Sequence, residues 1–191
     1  MAAEVDPWIV AADVAAVFEE LGLRYSVGGS MASSMGGEPR STLDVDIVVG
    51  LEAAQVDPLV HRLSARFYVP GDALRRAVAD RSSATIIDTE TSIKVDLFVA
   101  GGTALDAQIL DRRLRVSLAG DGRSVWVHTP EDVLLQKLRW FRRGGESSDR
   151  QWRDVLGVVR VQGARLDRAY LDDGASRLGV SDLLTRALAQ E

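Results

Sequence analysis

Residues 43–49, Leu43-Asp44-Val45-Asp46-Ile47-Val48-Val49, combine β-branched side chains with an alternating start, which is the signature of a strand packed on at least one face. Successive side chains of a strand point to opposite faces, so Asp44 and Asp46 share one face while Leu43, Val45 and Ile47 take the other. A later apolar run, Lys94-Val95-Asp96-Leu97-Phe98-Val99, carries one acid in the same setting. Side by side, the two strands bring three carboxylates together, and such a group repels itself unless a cation sits among them. Asp44, Asp46 and Asp96 are therefore candidate ligands for a hard divalent ion, Mg²⁺ or Mn²⁺, which prefers oxygen donors. Aspartate is common in this chain, 19 of 191 residues, so the D-x-D triplet carries little weight alone. Its weight comes from the order of the surrounding segments.

Upstream, residues 7–21 read as a helix with Pro7 in its first turn, apolar side chains at helical spacing and Gly22 at its end. A short strand over 24–27 runs into Gly28-Gly29-Ser30, a turn that lets backbone approach a ligand closely, and a small-residue helix over 30–35 follows. Residues 52–67 predict a helix over the sheet, with Asp57 as a possible cap ahead of Pro58. Residues 84–88 and 92–99 predict a hairpin that sets Asp96 on an antiparallel strand beside the D-x-D strand. Asp88 and Glu90 rank below Asp96 because turn acids are ordinarily exposed. A second hairpin spans 115–118 and 125–128 around Gly120-Asp121-Gly122. The last third is helical: Thr129 caps, Pro130 takes the first position and Asp132 the third, with Leu134, Leu138 and Phe141 on one face and Lys137 at its border. The next helix packs through Trp152, Val155, Leu156 and Val159. Arg150 and Asp154 stand four apart on it, the spacing of a surface ion pair. Two closing helices are expected around 169–178 and 181–189. The fold expected is α+β: a small mixed or antiparallel sheet with flanking helices over residues 1–128, then a helical region over 129–191.

The succession G-G-S, spacer, D-x-D and later acidic strand resembles the DNA polymerase β-like nucleotidyltransferase superfamily over roughly residues 20–100. Thr129-Pro130-Glu131-Asp132-Val133-Leu134-Leu135-Gln136-Lys137-Leu138 and Asp149-Arg150-Gln151-Trp152-Arg153-Asp154-Val155 are similar to the C-terminal part of the abortive-infection type of that superfamily, the toxins of bacterial toxin-antitoxin pairs. The resemblance implies transfer of a nucleoside monophosphate from a nucleoside triphosphate to a hydroxyl acceptor. It implies metal ligation by Asp44, Asp46 and Asp96, nucleotide binding by Gly28, Gly29 and Ser30, and a site completed by Lys137 and Asp154. The chain departs from the pattern in a long spacer of 13 residues between Ser30 and Asp44, with a loop at Gly36-Gly37-Glu38-Pro39. Arg40 and Thr42, just before the D-x-D, are placed for a triphosphate or an RNA end. The acceptors left open are a tRNA 3′ end, a protein hydroxyl such as one on a partner antitoxin, and a small aminoglycoside-like molecule. A nucleotide-binding or partner-binding module without turnover is the rival of another class.

Composition narrows the alternatives. A hydrophobic share of 46% in 191 residues supports a folded core. Cysteine is absent and histidine is limited to His61 and His128, which leaves no thiolate zinc site and little imidazole. No apolar run approaches the ~18 residues of a membrane span, and the first residues lack the basic segment of a secretory signal, so a cytoplasmic enzyme is expected. Of 23 basic residues 21 are arginine, and both lysines, Lys94 and Lys137, fall inside the motifs. From Lys137 to Arg168 nine basic residues face four acidic ones, in a chain of net charge −5, which invites an anionic partner near that segment.

Overall fold

The computed structural model describes residues 6–39, 42–101, 103–118 and 122–190. In chain order these form α1 (Pro7–Glu20), β1 (Tyr25–Val27), α2 (Gly29–Gly36), β2 (Asp44–Val49), α3 (Ala53–Leu63), β3 (Phe67–Tyr68), α4 (Gly71–Asp80), β4 (Ser83–Asp88), β5 (Lys94–Val99), α5 (Ala104–Arg112), β6 (Leu114–Ser117), β7 (Ser124–Val127), α6 (Pro130–Arg143), α7 (Asp149–Gln162), α8 (Arg168–Leu178) and α9 (Ser181–Leu188), with a 3-10 turn at Gly163–Arg165. They group into two compact units. The first holds residues up to Gly28 and 42–127; the second holds 29–41 and everything from His128. Residues 29–39 thus group with the C-terminal helices.

The first unit contains the whole sheet, in the order β3-β4-β5-β2-β1-β7-β6. It is mixed: β2 pairs with β5, and β1 with β7, in parallel, and the other neighbours are antiparallel. Both expected hairpins form, β4 with β5 and β6 with β7, although Gly120 and Asp121 lie outside the described residues. The antiparallel placement expected for the Asp96 strand beside the D-x-D strand is corrected to parallel. The segment between the two strands holds α3, β3, α4 and β4, enough chain to cross over and re-enter the sheet in the same direction. One face of the central strands, made by Val45, Ile47, Val49, Val95, Leu97 and Val99, is buried. On it or its neighbours pack α1, against β1, β2 and β7, and α4, against β4 and β5.

Two helices, α4 and α5, are additions to the sequence reading. In α4 the buried Leu74, Ala77 and Val78 are spaced for one helical face, and α5 is closed by a capping box in which the Thr103 side chain accepts from Asp106 N–H. α3 also starts earlier than Asp57: Glu52 is its cap, its N–H donating to Gln55 Oε1 at 3.0 Å, and Pro58 sits inside the helix.

In the second unit α6 packs on α2, α7 and α8, while α9 packs on α7 and α8. The start of α6 is as expected, with Thr129 Oγ1 accepting from Asp132 N–H and donating to Asp132 Oδ2 at 2.8 Å. Asp132 is buried, and Tyr170 OH donates to its Oδ1 at 2.5 Å, which ties α8 to the α6 cap. The Gly36-Gly37-Glu38-Pro39 loop lies against α7. Gln162 Nε2 donates to Gly36 O at 2.6 Å, Arg160 pairs with Glu38, and Gly37 meets α7 where the helix presents Gly157.

Candidate active site

The parallel ladder sets Asp46 directly opposite Asp96 and Asp44 opposite Lys94. Paired residues in register share a face, so Asp44, Asp46 and Asp96 lie on the same side of the sheet, as the alternation predicted. Asp44 is exposed, while Asp46 and Asp96 are half-buried. Further along that face Val48 is covered by Leu110 of α5 and Ala100, with Phe98 against them. The acids thus occupy the open end of a face whose other end is apolar and closed. On the far side of Asp96, Thr85 of β4 is its direct partner, and Thr85 Oγ1 donates to Asp96 Oδ1 at 2.5 Å. Thr85 escaped the sequence reading. Only the hairpin register, not composition, singles it out.

The donor chemistry suits a hard cation, since all three groups are carboxylates on one strand pair. Among the described residues no three His, Cys, Asp or Glu side chains are gathered into a ready ligand set. Mg²⁺ does not demand one: it is ordinarily held by one or two carboxylates and completes its shell with water and phosphate oxygens. The acids present fit that mode of binding.

The turn after β1 behaves as two halves. Gly28 N–H donates to Asp46 O at 2.8 Å, extending the β1–β2 ladder, so this amide is engaged by the sheet. Gly29 follows at φ +56°, in the left-handed region that glycine enters without a Cβ penalty, and opens α2. Ser30 is buried in the first turn of α2, where Arg150 Nη2 reaches its Oγ at 3.5 Å, and Ser33 Oγ donates to its carbonyl. Thr42 Oγ1 lies 3.4 Å from both the amide and the carbonyl of Asp44. Arg40 lies outside the described residues.

Lys137 and Asp154 meet within the second unit, Nζ to Oδ2 at 2.6 Å, with 8% of each side chain exposed. Asp154 thus pairs across to α6 and not with Arg150 four residues before it on its own helix, and Lys137, at the border of the apolar stripe, is buried. The basic excess after Lys137 is also partly spent. Arg142 pairs with Glu146 and Asp182, and Arg160 with Glu38. In the first unit Asp88 corrects the view of turn acids. It is buried, Arg66 grips it through Nε and Nη2 at 3.0 and 3.1 Å, and Thr91 donates at 2.5 Å. Burial opposes its ionisation, but the bonds from Arg66, Thr91 and the Glu90 amide outweigh that and hold its carboxyl below the ordinary carboxylate value. Arg66 also binds Asp13 of α1, which Arg123 contacts at 2.7 Å, so this network is a brace rather than a second acidic site.

No protein-family model matches the chain, and no curated protein matches it. Among solved structures, an antigenic nucleotidyltransferase-like protein from Paracoccidioides brasiliensis superposes with a TM-score of 0.57 at 18% identity, over 97% of this chain and 93% of that one. The antibiotic-resistance factor ANT(2'')-Ia superposes with a TM-score of 0.55 at 13% identity, over 95% of this chain and 99% of its own. A crystal structure of ANT(2'')-Ia in complex with adenylyl-2''-tobramycin gives 0.53 at 12% identity, over 88% and 97%. At these identities the likeness is one of fold. The chain has the mixed-sheet fold of nucleotidyltransferases, with α6–α9 included in the match.

Proposed function

We propose that this chain is a metal-dependent nucleotidyltransferase that moves a nucleoside monophosphate from a nucleoside triphosphate to a hydroxyl acceptor. The observation that carries the reading is the Asp46–Asp96 register, with Asp44 on the same face at its open end. Asp44, Asp46 and Asp96 would hold Mg²⁺ or Mn²⁺, which supplies charge neutralisation for the phosphates and acidifies the attacking hydroxyl. The acceptor oxygen attacks the α-phosphorus, a new P–O bond forms, and the bond to the β-phosphate breaks with its electrons leaving on pyrophosphate. The hydroxyl proton passes to a carboxylate. Asp96 suits this role because the Thr85 hydroxyl orients Oδ1 and leaves Oδ2 to accept. On the nucleotide the phosphate donors proposed are the Gly29 amide and the Ser30 hydroxyl, with Thr42 steadying the backbone of Asp44. Lys137 and Asp154 serve as a positioning pair, because an ammonium closed on a carboxylate at 2.6 Å is already neutralised.

Two acceptor classes divide the reading. The similarity of the α6 and α7 segments to abortive-infection toxins favours a tRNA 3′ end or a protein hydroxyl, with an antitoxin as partner. The likeness to ANT(2'')-Ia over nearly the whole of both chains favours a small polyhydroxylated acceptor. Label transfer tests both. The purified chain, Mg²⁺ or Mn²⁺ and each α-labelled nucleoside triphosphate are incubated with total tRNA, cell extract or an aminoglycoside panel, beside Asp46→Asn. Label on one acceptor class, lost in the variant with its melting temperature retained, is the expected result. Nucleotide binding with no transfer to any acceptor would replace this reading with that of a binding module.

A further inference from the structure

Helix α6 buries most of its length, and what it leaves outside is one narrow face. Gln136, Arg139, Trp140 and Arg143 recur at spacings of three and four, so they line that face while the buried Leu134, Leu138 and Phe141 take the opposite one. The face carries two arginines and no acid. Trp140 is 47% exposed, although tryptophan is on average a well-buried residue. The guanidinium carbon of Arg143 stands 5.5 Å from the centre of its ring, and among the described residues Arg143 makes no ion pair. The acid nearest to it in sequence, Glu146, pairs instead with the neighbouring Arg142. A cation in the last turn suits the helix dipole, which accounts for the charge of Arg143 but not for the exposed indole beneath it.

We infer that this face of α6 docks single-stranded RNA: a base stacks on the Trp140 indole, and the Arg143 guanidinium beside it takes the adjoining phosphate. An aromatic ring accepts any base through its π face, and arginine supplies the charge that the backbone of the strand requires. A face with arginines and no acid is complementary to a polyanion and disfavours a polycation. Unpaired bases that can be laid on a ring belong to RNA loops and ends, whereas a duplex keeps its bases stacked inward and would meet Arg143 without using Trp140. The face lies wholly within the second unit, on one helix, and its role holds whether or not the chain transfers a nucleotide.

The test is fluorescence anisotropy of the full chain with a labelled single-stranded oligoribonucleotide of about ten nucleotides, beside the same RNA as a duplex and the same sequence as single-stranded DNA. The single-stranded RNA is expected to bind at least about fivefold tighter than the duplex. Trp140→Ala should weaken it about tenfold with the melting temperature retained. Trp140→Leu, which keeps apolar bulk without the ring, should weaken it equally, and Trp140→Phe should recover most of the loss. Arg143→Gln should weaken binding several-fold and reduce the salt slope by about 0.7, the share of one phosphate on a single strand. An unmodified chain that binds no RNA at low salt, a duplex or single-stranded DNA bound more tightly than the single-stranded RNA, or Trp140→Ala and Trp140→Leu binding within about twofold of the unmodified chain would each overturn the inference. None of these outcomes bears on nucleotidyl transfer, which the label assay reads separately.

Discussion

Replacing Lys137 by methionine keeps the length of the side chain and removes its charge, leaving Asp154 without its ammonium in a site where 8% of the side chain is exposed. At 2.6 Å and an effective dielectric of about 20 the gross attraction is about 6 kcal/mol, most of which offsets the cost of taking both ions out of water. The variant loses the attraction and keeps half of the cost, so a destabilisation of about 3–5 kcal/mol is expected. For a chain of this size that is a fall of at least about 6 °C in the transition of the second unit. Denaturation is followed by tryptophan fluorescence in a W8F/W126F background, so that Trp140 on α6 and Trp152 on α7 report; Trp152 packs on Phe141 with ring centroids 5.3 Å apart. The double variant K137M/D154L removes both ions and should recover to within about 1 kcal/mol of the parent, since apolar replacements of buried pairs are commonly near neutral. A K137M variant within about 1 kcal/mol of the parent, or a double variant no better than K137M, would refute the reasoning. If the double variant is stable yet inactive, Lys137 or Asp154 has a task beyond holding α6 to α7.

Two further perturbations test the packing. His128 is buried, and burial depresses its imidazole from 6.5 to about 3. The folded value lies below the unfolded one, so the stability it contributes is complete above about pH 6.5 and is lost as pH falls toward 3, about 2 kcal/mol by pH 5. Urea midpoints at pH 7 and 5 should show that slope in the parent and a shallower one in His128→Gln; equal slopes would count against it. Neighbouring glycines should respond in opposite senses. A Cβ on Gly37 would lie 2.8 Å from Val158 N and 2.9 Å from Gly157 C and Ser33 O, backbone atoms that cannot turn aside, so Gly37→Ala should cost about 2–3 kcal/mol. At Gly36 the nearest atom is a Pro130 side-chain carbon at 3.7 Å, and Gly36→Ala at the end of α2 should be neutral or stabilising by about 0.5 kcal/mol in the same denaturation assay.

What could be read from the chain and what could not divide along local and non-local information. Strands with period-two patterning, hairpins with their turns between them and the Thr129-Pro130-Asp132 helix start are written within a few residues, and all formed. The fate of Asp88 was not, because the arginine that claims it stands 22 residues away and the threonine that helps sits in a turn. Nor was the partner of Asp154. Spacing of four on α7 favoured Arg150, and the choice of Lys137 over it depends on how α6 and α7 pack. Lone charged pairs on a helix gain only a few tenths of a kcal/mol, so tertiary burial overrides them readily.

The acidic face survived an error in strand direction, and the reason is geometric. Antiparallel and parallel partners alike place directly paired residues on the same side of a sheet, so direction does not decide which side chains meet. Parity does. Asp96 faces with Asp44 and Asp46 because the register is Asp46 to Asp96; a slip of one residue would have turned Asp96 into the core and brought Val95 or Leu97 to the acidic side. The sequence carries that parity redundantly. Val45, Ile47 and Val49 on β2 and Val95, Leu97 and Val99 on β5 must all be buried together, and burying all six on one face leaves the three aspartates no side but the other. The apolar residues thus hold the site in register, and substitution of the acids leaves that register intact.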